Sequence, residues 1–155
     1  MELPDTQTRV LEHSSERITE RLRRELESRV FYFARNPDRI DDRLAELDHE
    51  WDMERMLEVN AAGVSLFAVL MAARHSRWLV LPFAVGGFLL LHALQGWCPP
   101  VELFRRIGIR TAKEINDERY ALKALRGDFN IDITSDNDPD SKAQKALQTL
   151  DPYHQ

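Results

Sequence analysis

Residues 59–101 read VNAAGVSLFAVLMAARHSRWLVLPFAVGGFLLLHALQGWCPPV. Two uncharged runs, Val59–Ala73 and Trp78–Val101, are separated only by Arg74-His75-Ser76-Arg77. At the helical rise per residue, about 15–20 residues cover roughly 22–30 Å, close to the hydrocarbon thickness of a bilayer. So short a turn makes the two helices antiparallel neighbours. The stretch reads as a membrane helical hairpin and sets the fold class: an all-α membrane protein, a two-span hairpin with flanking amphipathic cytoplasmic helices. A soluble bundle core is the alternative. It would need neighbours with wide apolar faces, and the flanking helices offer only narrow stripes.

The average composition hides this partition. Of 155 residues, 30% are charged and the net charge is −5. Residues 1–58 hold 10 Lys/Arg against 16 Asp/Glu, whereas residues 98–127 hold 7 against 4. Neither balance has the basic excess of a nucleic-acid binder, so no nucleic-acid partner is expected. Met1–Arg9 is polar and acidic, and no apolar run follows within the first 30 residues. A signal peptide is therefore not expected, and insertion falls to the internal hairpin. One cysteine, Cys98, cannot make an internal disulfide.

Four regions follow: a charged amphipathic N-terminal region (1–58), the hairpin (59–97), an interfacial segment with a capped helix (98–128), and a disordered acidic tail (129–155) within which Ser141–Leu150 forms a loose helix. Pro4-Asp5-Thr6 offers a cap for a helix over about 6–35, with Leu11, Ile18, Leu22, Leu26 and Val30 on one side. Glu20/Arg24 and Glu25/Arg29 are spaced as i,i+4 pairs with the acid first, the better order. Glu25 and Arg29 fall in the apolar seam, which favours a helix lying on the membrane or on a partner over a coiled coil. Asn36-Pro37 breaks this helix, Asn36 capping the next. Ile40, Leu44, Leu47 and Trp51 then lead towards the first span without a turn signal.

In the first span Ala61, Ser65, Ala68 and Ala72 share one face at small-residue spacing. That face packs either on the second span or on another copy. In the second, Trp78 and Trp97 stand about 28 Å apart as an aromatic belt would place them. Pro82 sits in the first turn, and Gly86-Gly87 is expected against the small face of the first span. Arg55, Arg105, Arg106, Arg110 and Lys113 outside the hairpin outnumber Arg74 and Arg77 in its turn. The bias predicts both termini in the cytoplasm.

After the spans, Gly96-Trp97-Cys98-Pro99-Pro100 ends the helix, and a short amphipathic turn closes at Gly108. Thr111-Ala112-Lys113-Glu114 is a capping box for a helix that stops at Gly127. The order Gly96-Trp97-Cys98-Pro99, Leu103-Phe104, Ile107-Gly108-Ile109 and Thr111, placed behind two short spans, resembles the YgaP-like inner-membrane family. The resemblance covers about residues 57–112 and implies a two-helix transmembrane domain of unsettled function in the inner membrane. In the founding member this hairpin follows a rhodanese domain that carries sulfur as a cysteine persulfide. The present chain has no such cysteine loop, so the resemblance does not imply sulfur transfer by this chain alone.

Cys98 is the candidate thiol site, just past the interface. Arg105 and Arg106 lie one to two turns downstream, where they would favour a thiolate. Packing of the helix end is the plainer reading, and haem ligation through Cys-Pro a third. His92, inside the second span, is an intramembrane ionisable group. Bonding to Asn60 at the same depth is its expected role, ahead of a metal pair with Cys98, since zinc wants four ligands. His49-Glu50 lacks the second histidine of a zinc protease helix. The carboxylates from Asp41 to Glu54 read as a solvated face. No phosphate loop and no nucleophile constellation is present, so neither an enzyme nor a cofactor nor a metal is expected. The sequence points to a small inner-membrane protein, either an anchor or accessory subunit docking a cytoplasmic partner through its N-terminal helices, or a thiol-dependent component handling a small sulfur species through Cys98. Its partners are the bilayer and a protein, another copy included.

Overall fold

The structure, a computed structural model, describes Val10 and residues 14–96, 98–129 and 138–150. Among the described residues every regular element is helical. Seven α-helices follow in order: α1 (Glu16–Arg35), α2 (Ile40–His49), α3 (Met53–Ala72), α4 (Val80–Gln95), α5 (Pro99–Arg106), α6 (Ala112–Arg126) and α7 (Pro139–Gln148). Two 3₁₀ turns, Pro37–Arg39 and Ser76–Leu79, precede α2 and α4. The chain divides into two compact units, and neither is continuous in sequence. Residues 1–19 and 51–111 form the hairpin unit; residues 20–50 and 112–155 form the charged unit. The four consecutive regions expected from sequence are thus regrouped in space.

Two helical stretches, one ending with α3 at Ala72 and one running from the 3₁₀ turn through α4 (Ser76–Gln95), are long and apolar enough to cross a membrane, yet only 11% and 6% of the residues in their apolar windows are buried. Val80 is 71% exposed and Phe83 82%. A soluble bundle would hide these side chains, so the bundle alternative falls and the apolar exterior belongs to an all-α membrane protein. Twenty residues of α3 rise about 30 Å. The two helices pack together. Ala68 is fully buried, so the small-residue face is the one that lets them approach. Gly86 and Gly87 are not part of that contact: a Cβ on either would meet nothing within 4 Å. The expectation that they line the small face is corrected. Phe67 and Trp78 meet edge to face at 5.9 Å beside the turn. Trp97 lies outside the described residues, so the aromatic belt is described at Trp78 alone. Gly96 ends α4 in the left-handed region (φ 77°), its N–H donating to His92 O at 2.8 Å. Glycine takes that conformation without a Cβ clash.

Two helix junctions differ from the sequence reading. Asn36 donates from Nδ2 to Tyr32 O at 2.8 Å, closing α1 rather than capping α2. The N-terminal helices also do not run straight into the first span. Asp52 accepts from Arg55 N at 2.8 Å as the N-cap of α3, and Glu50 is extended before it. An Asp side chain that satisfies an orphan N–H makes a helix start there more favourable than a continuation. The proposed start of the first helix at Pro4–Thr6 lies outside the described residues, but one helix over 6–35 is corrected: Ser14, whose Oγ donates to Val10 O at 2.6 Å, and Ser15 are not helical, and α1 begins at Glu16.

The charged unit has its own core. Phe33, Ile40, Leu44 and Leu47 pack with Ile115 and Leu122, while Val30 packs with Ala121, Ala124, Ala143 and Ala146. The latter two belong to α7, capped by Asp138, so residues 139–148 are a packed helix, not a loose one within a disordered tail. The apolar stripe of α1 and α2 is therefore used inside the chain. Glu118 of α6, fully buried, holds this unit through its charge. Arg29 Nε approaches Oε2 at 3.2 Å, and Arg43 Nε donates to Oε1 at 2.8 Å. Burial alone would lower the Arg43 guanidinium, but its hydrogen bonds to Glu118 and Glu46 raise it above its ordinary value. Glu25 pairs with Arg21, which leaves Arg29 to Glu118, whereas Glu20 pairs with Arg24 as expected. The acidic face of α2 is solvated as expected, its carboxylates exposed even where they pair: Asp48 meets Arg119 at 2.8 Å, and Asp41 meets Arg126.

Removing one member of a buried ion cluster strands the others. Glu118→Ala is expected to destabilise the charged unit by roughly 3–5 kcal/mol. Replacing Arg29, Arg43 and Glu118 together by Met, Met and Leu should cost less, because no charge is then left buried. Urea unfolding followed by circular dichroism compares the two; equal losses would show that shape, not charge, holds the cluster.

Candidate functional site

Cys98 is the residue between α4 and α5. Its extended backbone (φ −155°) stands at the N-cap of α5, and Pro99 and Pro100 occupy the first turn, where a missing N–H costs nothing. This abrupt start turns α5 back beside α3. Between α3, α4 and α5 it leaves a cavity of about 450 Å³. From α3 come Leu57, Asn60, Ala61 and Val64; from α4 Val85, Phe88 and Leu89. Cys98, Pro99, Pro100, Leu103 and Phe104 complete the wall. Among the described residues its only polar side chains are the Asn60 amide and the Cys98 thiol.

The thiol is 2% exposed, within a cluster that includes Met53, Leu57, Val101 and Phe104. Burial pushes the Cys98 thiol up from its ordinary value, and a hydrogen bond from the Val101 backbone only partly opposes this. The arginines expected to favour a thiolate are engaged elsewhere. Arg105, itself fully buried, reaches Thr19 Oγ1 at 3.5 Å. Arg106 donates to Glu102 Oε1 from Nε at 3.3 Å and from Nη2 at 3.2 Å. The sequence reading overlooked burial: apolar residues three and six places after Cys98, Val101 and Phe104, close over it once α5 forms.

Asn60 bonds within its own helix: its Nδ2 donates to Met56 O at 3.0 Å, one turn back. His92 is buried in the last turn of α4 and is not part of the cavity wall. An amide within reach of its own preceding carbonyl needs no partner across the hairpin. Among the described residues no three His, Cys, Asp or Glu side chains gather as a metal set.

A second concavity, of about 440 Å³, lies in the charged unit between the end of α1 and α2. Tyr32 and Phe33, edge to face at 5.1 Å, form one side. Asp38, Asp42 and Glu46, spaced every four residues, form the other with Arg39 and Arg43. Arg39 Nη1 donates to the Tyr32 hydroxyl at 3.4 Å. This groove was missed in the sequence, although the four-residue spacing of its acids was there to find.

The buried thiol makes a testable statement about pH. A folded-state value above that of a free cysteine keeps the thiolate scarce near neutrality. Maleimide labelling of Cys98 in the folded protein should be slow at pH 7 and should rise only at more alkaline pH than labelling of the urea-unfolded chain. Rapid labelling that persists below pH 7 would overturn it.

Residues 52–114 match the family described as "Inner membrane protein YgaP-like, transmembrane domain". Neither a curated protein nor a solved structure matches the chain. The match begins at the Asp52 cap and ends in the first turn of α6, so it takes in the hairpin, the cavity and α5. The resemblance read from Gly96 to Thr111 holds: it lies inside the segment, residues 52–114, that is similar to the YgaP-like transmembrane domain.

Proposed function

We propose that the protein is a non-enzymatic anchor or accessory subunit of the inner membrane, whose hairpin tethers the charged unit to the cytoplasmic face. One observation carries this reading. The charged unit is assembled from chain on both sides of the hairpin, α1 and α2 before it and α6 and α7 after it. Two segments that share one core lie on one side of a bilayer, which requires an even number of crossings. The excess of Arg55, Arg105, Arg106, Arg110 and Lys113 over Arg74 and Arg77 favours the cytoplasm for that side. A cysteine placed at Ser76 in a Cys98→Ser background should label with an impermeant maleimide in spheroplasts and not in inverted vesicles. The reverse pattern would refute the orientation.

The apolar stripe first expected to dock a partner is occupied, since Leu22 and Leu44 are buried. Leu22→Asp would unfold the charged unit rather than release a partner. The groove at Tyr32 and Asp42 is the better docking surface, because a basic segment would meet Asp38 and Asp42 beside an exposed aromatic ring, Glu46 being paired with Arg43. Tyr32→Ala with Asp42→Lys should abolish co-purification of a cytoplasmic partner without changing the unfolding midpoint. The competing reading makes Cys98 a carrier of a small sulfur species, and it would be supported if Cys98→Ser alone removed the cellular phenotype of a deletion.

A further inference from the structure

The cavity between α3, α4 and α5 lies against two helices whose exterior meets lipid, and its wall says what fills it. Buried water needs two to four polar partners. Among the described residues this wall offers only an amide and a thiol, and the amide Nδ2 already donates to Met56 O. An apolar guest suits it and water does not. The cavity reaches from Pro99 and Leu103 at the start of α5 to Val64 and Val85 within the spans. From Val85 to the end of α4 at Gln95 is about 15 Å of helix. That is about half the hydrocarbon thickness of a bilayer, the depth of one leaflet.

The mouth has the matching chemistry. Leu103 and Ile107 stand exposed on and just after α5, as in a helix lying in the interface. Arg106 lies on the same short helix with a side chain 67% exposed; Nε and Nη2 donate to Glu102 Oε1, and a guanidinium, with five N–H donors, at that level also meets phosphate. We infer that the cavity is a binding site for one acyl chain of a glycerophospholipid, its phosphate at the level of Arg106. The occupant comes from the leaflet that α5 faces, and no covalent bond to Cys98 is involved. This inference does not depend on the docking role proposed for the charged unit.

The test uses the full-length protein purified in mild detergent and analysed by native mass spectrometry. Val64 lines the cavity but is 40% exposed, so Val64→Phe can fill the space without disrupting a core. Val80→Phe, at a 71% exposed position outside the cavity, controls for lipid that merely coats the spans. The wild type and Val80→Phe should retain one phospholipid per chain, and Val64→Phe should retain at least threefold less. Equal retention by both variants, retention of free fatty acid instead of phospholipid, or a mass shift of an acyl chain surviving denaturation would each overturn the inference.

Discussion

An apolar side chain that finds no protein neighbour must find another solvent, and that constraint governs this molecule. Val80 and Phe83 stand on the outside of the hairpin, which has no core wide enough to hide them. In water each such residue would cost roughly 1.5–3 kcal/mol. In lipid the cost vanishes, and what remains to hold α3 against α4 is close contact through small residues such as Ala68. The same demand limits polar groups within the spans. Asn60 meets it by returning its amide to Met56 O, so that no partner is required from the opposite helix.

Outside the hairpin the currency is charge, and its arrangement is the opposite of diffuse. A fully buried carboxylate needs its remaining lone pairs satisfied, or burial would disfavour folding altogether. Glu118 meets that need with two arginines that come from different helices, Arg29 of α1 and Arg43 of α2. It thereby fixes how three helices meet. The surrounding pairs, Asp48 with Arg119 and Asp41 with Arg126, are more exposed and add register more than stability.

The spans were legible because lipid imposes a pattern that survives without knowledge of tertiary contacts: a long uncharged run and glycine at a helix end. Gly96, Gly108 and Gly127 all have positive φ where the sequence placed a stop or a turn. The segment Gly96–Thr111 carried enough order to reveal the family it resembles. What escaped was everything decided by long-range partners. Arg29 looked like the partner of Glu25 because local spacing cannot see Glu118 across the intervening hairpin. The helix at 139–148 was read as loose, over 141–150, because its buried side chains, Ala143 and Ala146, are too small to announce an apolar face. Cys98 looked reactive because two arginines follow it, yet sequence proximity does not show that Val101 and Phe104 close over the sulfur. The cavity itself depends on α5 turning back beside α3, a tertiary fact with no local signature.

The discontinuity of the charged unit also bears on biosynthesis. Arg29 and Arg43 leave the ribosome long before Glu118, with both membrane spans synthesised in between. Until the second span has inserted and returned the chain, α1 and α2 have no α6 to close over Ile40, Leu44 and Leu47, and their apolar stripe stays exposed. A hairpin halted after one crossing would leave that stripe open to chaperones and proteases. Folding of the charged unit thus reports that membrane insertion is complete, and a chain of wrong topology is marked for removal by its own unburied surface.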